Sequence, residues 1–71
     1  MDIERFPLAI ETERETDGRW LGEIAALPGV VAYGATRAAA IARVQVLALR
    51  VLADRIEHGE MTLPEVLFRA V

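Results

Sequence analysis

Asp17-Gly18-Arg19-Trp20-Leu21-Gly22-Glu23-Ile24, followed by Leu27-Pro28-Gly29-Val30 and by Tyr33-Gly34-Ala35-Thr36, is the stretch whose order decides the fold. Asp17-Gly18 reads as the positive-φ pair of a tight hairpin turn and Leu27-Pro28-Gly29 as a second reversal. Thr36 offers an oxygen able to cap whatever helix follows. Between the two reversals, Trp20, Gly22 and Ile24 alternate with Arg19, Leu21, Glu23 and Ala25, the two-residue period of a strand with one buried face. On the N-terminal side, Phe6, Leu8, Ile10 and Thr12 alternate in the same way with Pro7, Ala9, Glu11 and Glu13. Pro7 cannot donate to a ladder and belongs near the start of that strand. Val30-Val31-Ala32-Tyr33, bounded by Gly29 and Gly34, reads as a short third strand at a sheet edge.

From 37 to 58 the chain has neither Gly nor Pro and is rich in Ala, Leu and Arg, which predicts a helix of about six turns. Gly59 ends it at the C-cap. One stripe of this helix, Ala40, Ile41, Val44, Leu47, Ala48, Val51 and Leu52, can cover a sheet. A second stripe holds Ala42, Val46, Leu49, Ala53 and Ile56, so the apolar arc is wider than a helix on a single sheet needs. Val46, Leu49, Ala53 and Ile56 are therefore the candidate oligomer interface. Alternation resumes at Val66, Phe68 and Ala70, predicting a last strand over 65–70, parallel to the first and beside it through a right-handed crossover. The expectation is an α+β fold, β-β-β-α-β in two layers, with a mixed sheet and one long helix on one face. It looks like the first part of a ribonuclease H fold.

The chain has 71 residues, which leaves room for one domain over 1–71. A body this small buries only roughly 60% of its unfolded surface. It has no cysteine to staple it, and an apolar content of 54% points to association with another chain. No run reaches the roughly 18 apolar residues of a membrane span, and Met1-Asp2-Ile3-Glu4-Arg5 lacks the order of a signal peptide. A cytoplasmic protein without membrane association is expected. The net charge of −3 is unevenly placed: residues 1–23 carry seven acids against Arg5, Arg14 and Arg19, while residues 24–71 carry four acids and five arginines. Acidic strands disfavour direct nucleic-acid binding and suit a basic protein partner.

Catalysis is not expected. Glu11 and Glu13 share a strand face, but no acid occurs between Glu23 and Asp54 to complete a metal constellation. His58, the sole histidine, sits where a cation complements the helix dipole, and no Ser or Cys is present as a nucleophile. No cofactor is called for.

The DG-x-W strand at Asp17, Gly18 and Trp20, the LPG turn at Leu27, Pro28 and Gly29, and the G-x-T helix start at Gly34 and Thr36, with Gly59 closing the helix, together resemble the HicB-like antitoxin family. That resemblance covers nearly the whole chain. It implies a protein that binds and masks a small basic ribonuclease of the HicA type, an mRNA interferase. On that reading Glu11, Glu13, Asp17 and Glu23 are the toxin-facing residues. Many family members add a C-terminal operator-binding segment; with Val71 directly after the predicted last strand, the masking domain alone is expected. The alternative is an orphan oligomeric interaction module without a toxin partner.

Overall fold

The computed structural model describes residues 7–60 and 68–71. Three antiparallel strands, β1 (Leu8–Arg14), β2 (Trp20–Glu23) and β3 (Val31–Gly34), lead into one long helix, α1 (Arg37–Glu57), packed on the sheet. A three-residue strand, β4 (Phe68–Ala70), lies parallel to β1, with Leu8 opposite Phe68 and Ile10 opposite Ala70. The sheet order is β3-β2-β1-β4. Expectations placed on Phe6 and on residues 61–67 lie outside the described residues.

The β1–β2 hairpin corrects the sequence reading. Asp17 and Gly18 are not a positive-φ pair: Gly18 has φ +92°, and no described residue other than glycine has positive φ. The loop is Thr16-Asp17-Gly18, closed by Gly18 N donating to the Glu15 carbonyl at 3.0 Å and Glu15 N donating to the Arg19 carbonyl at 2.7 Å. This is the three-residue hairpin, in which only the last loop residue needs the left-handed region. Asp17 instead turns its carboxylate back onto Arg19, accepting from the backbone N–H at 3.0 Å and from Nε at 2.8 Å. The second reversal has Gly29 at φ +85° and Val30 N donating to the Leu27 carbonyl at 3.0 Å. Pro28 and Gly29 thus occupy the two central positions of a type II turn.

Both ends of α1 are chemically closed. The Thr36 hydroxyl accepts from Ala39 N at 3.1 Å, with Ala39 standing where a capping box would place Glu. At the other end Gly59 N donates to the Ile56 carbonyl at 3.0 Å and Glu60 N to the Arg55 carbonyl at 2.8 Å, while Gly59 adopts φ +70°. These two bonds and the left-handed glycine make a Schellman cap.

The core lies between helix and sheet. Leu8 and Ile10 from β1, Ile24, Leu27 and Val30 around the second turn, and Ala40, Val44, Ala48 and Leu52 from α1 are all 2% exposed or less. Val30 begins no strand; it is part of this core. Two glycines set how close the helix comes. A Cβ on Gly22 would sit 2.9 Å from the Ala40 carbonyl oxygen and 3.3 Å from Val44 Cγ1. One on Gly34 would sit 2.8 Å from the Ala39 carbonyl carbon and would also collide with Ala40 N. The first turns of α1 therefore rest directly on the backbone of β2 and β3. Arg37, at the first helical position, ties this end to β1: its Nε donates to Thr12 Oγ1 and its Nη2 to the Val71 carbonyl, each at 3.0 Å.

Candidate functional site

One helix covers one face of the sheet, and the other face carries Glu11 and Glu13 of β1, Leu21 and Glu23 of β2, and Val31 and Tyr33 of β3. The register decides what meets there. Glu11 lies directly opposite Glu23, and Glu13 directly opposite Leu21. On the far side of β2, Leu21 faces Tyr33 and Glu23 faces Val31. Glu11, Thr12, Glu13, Leu21 and Glu23 line an open depression of about 100 Å³. Three of these five residues are glutamates, and Leu21 among them is half-buried.

Of the four residues proposed to face a partner, the fold unites three. Glu11, Glu13 and Glu23 share the depression, so these acids converge more closely than their spacing in the sequence suggests. Asp17 does not join them. It sits at the hairpin tip, ion-paired with Arg19 at 2.8 Å, and the hydrogen bonds from the Arg19 backbone and side chain lower its pKa below the ordinary 3.8. The Arg19 guanidinium also stacks over the Tyr33 ring, 4.5 Å from its centroid. The outer face is thus acidic across β1 and β2 and aromatic with a cation at its β3 corner.

Like charges directly opposite each other on a ladder oppose pairing. Glu11 and Glu23 are in that relation, and neither forms an ion pair among the described residues. Sequence reading missed this pair because it depends on the register of the hairpin. Among the described residues no group of three or more His, Asp or Glu side chains is placed to hold a metal ion.

The β3 edge borders the same face. Ile24 N donates to the Val30 carbonyl at 3.1 Å, so the alternation of an antiparallel ladder aims the backbone groups of Val31 and Tyr33 away from β2. Arg43 Nη1 donates to the Tyr33 carbonyl at 3.0 Å and occupies one of these edge positions. Val31 and Tyr33 are themselves 39% and 41% exposed.

The proposed oligomer stripe is solvent-facing along its length. Ala42, Val46, Leu49, Ala53 and Ile56 are exposed, the three large side chains at 49%, 43% and 40%. At the end of this helix His58 Nδ1 lies 2.7 Å from the Asp54 carbonyl oxygen and 3.5 Å from Asp54 Oδ1. The hydrogen bond to that carbonyl, and then the Asp54 charge, raise the His58 pKa above 6.5. Trp20 is half-buried and not an exposed anchor.

No described helix is long and apolar enough to cross a membrane. No protein-family model, curated protein or solved structure matches the chain.

Proposed function

We propose that this protein is a HicB-like antitoxin or antitoxin-like protein that acts by binding and masking a small basic ribonuclease of the HicA type, without catalysis, metal or cofactor of its own. The observation that carries the reading is the outer sheet face, where Glu11, Glu13 and Glu23 surround Leu21 in an open depression. A ribonuclease that grips RNA presents cationic side chains. The end of one arginine or lysine fits a hollow of about 100 Å³, its aliphatic stem against Leu21 and its charge among the three carboxylates. The unrelieved Glu11–Glu23 pair supports the same direction, since a cation from outside offsets a repulsion that the isolated fold must carry. The order of strands, turns and helix fits a partial ribonuclease H-like domain, the fold that the family resemblance implies.

The test is RNA cleavage by a purified small basic ribonuclease encoded beside this gene, with increasing amounts of this chain. Stoichiometric inhibition is expected, weakened by Glu11→Lys with Glu13→Lys. Full cleavage at a large excess of the chain overturns the reading. The exposed stripe on α1 favours a second property, self-association, which is compatible with masking and is also what an orphan interaction module would show.

A further inference from the structure

The exposed residues of α1 have a spacing that the sheet-covering residues do not. Ala42, Val46, Leu49, Ala53 and Ile56 follow one another at intervals of four, three, four and three, which is the a/d seam of a coiled coil. The buried residues Ala40, Val44, Ala48 and Leu52 run every four residues instead. The helix thus has one side fitted to the sheet and an opposite side patterned for another helix. We infer that this side pairs with the same side of a second copy in antiparallel orientation, with Val46 packed against Ile56 and Leu49 against Ala53 of the other chain.

Charge selects both the occupant and the direction. The positions beside the seam, following each d residue, are Arg43, Arg50 and Glu57. Placed antiparallel in the stated register, Arg43 of one copy meets Glu57 of the other at both ends of the contact. Neither has an ion-pair partner among the described residues of its own chain. Arg43 spends one nitrogen on the Tyr33 carbonyl and keeps further donors free. A parallel pair would set Arg43, Arg50 and Glu57 beside Ala38, Gln45 and the buried Leu52, gaining nothing, and would align the two helix dipoles. The two Arg50 side chains approach each other near the axis, a single like-charge contact against the two Arg43–Glu57 pairs. A two-fold axis gives a closed, self-complementary contact.

The absence of cysteine makes the register directly readable. Light scattering of the chain alone at about 100 µM, a concentration that populates even a contact at the small end of specific interfaces, should give a dimer mass. Leu49→Glu, at an exposed position, should keep the circular dichroism of the fold and raise the dissociation constant at least about tenfold, because it buries an unpaired charge. Under mild oxidation, L49C mixed with A53C should form a disulfide-linked pair, and neither alone should do so to a comparable extent. A monomer mass for the unaltered chain overturns the proposal. So does efficient self-linking of L49C, which places the copies parallel. Neither measurement involves the ribonuclease, so the outcome is independent of the masking reading.

Discussion

At the scale of single residues, the closest constraint is the contact of Gly22 and Gly34 with the first turns of α1. Gly22 needs no positive φ; it is a glycine because the Ala40 carbonyl leaves no room for a Cβ. Gly22→Ala must push the helix off β2 or distort the strand, and such overpacking costs about 1–3 kcal/mol. A urea midpoint lowered accordingly, with an unchanged slope, is the expected result. Gly18→Ala meets no neighbour and pays only for the left-handed backbone, so the two glycines separate steric from conformational cost. His58 adds a pH dependence. Its raised pKa means that the folded chain holds the proton more tightly than the unfolded one. The resulting stabilisation is complete below 6.5 and lost as pH rises through the higher folded value. Thermal melts across that interval should show a small fall for the natural chain and none for His58→Gln.

At the scale of elements, alternation in the sequence and turn chemistry in the sequence made competing claims, and alternation won. A two-residue loop at Asp17-Gly18 would place Glu13 opposite Gly22, sending acids to the helix side while Leu8 and Ile10 faced outward. A slip of one residue exchanges the two faces of a strand. The burial of Leu8, Ile10, Gly22 and Ile24 on one side requires the three-residue loop that is found. The ends of α1 were legible because they rest on local rules: Thr36 accepts from Ala39, and Gly59 alone takes the left-handed position. The link from Arg37 to Thr12 and Val71 was not, since a cation at a helix start runs against the dipole and is understood only from what lies beside it.

At the scale of the whole molecule, the uneven charge of the sequence becomes a directional surface. The sequence placed four acids in one region; the fold separates Asp17, already paired, from Glu11, Glu13 and Glu23. That sorting depends on cross-strand partners, which composition does not contain. If the outer face guides a cationic partner, Glu11→Lys with Glu13→Lys should slow association by about an order of magnitude at low ionic strength and far less at high salt, as steering requires. Both side chains are exposed on β1 and Glu11→Lys relieves the repulsion with Glu23, so the variant should melt no lower than the natural chain. Stopped-flow association rates at two salt concentrations check this; rates indifferent to salt and substitution would move the contact elsewhere.

The Arg43 bond to the Tyr33 carbonyl has a consequence for behaviour at high concentration. A strand that is terminal among the described residues, with Val31 and Tyr33 exposed, is the kind of edge on which further chains can pair. A guanidinium fastened across that strand breaks the row of acceptors and places a charge where an incoming chain would lie. Arg43→Gln should therefore raise light scattering at high concentration while leaving the melting temperature close to that of the natural chain.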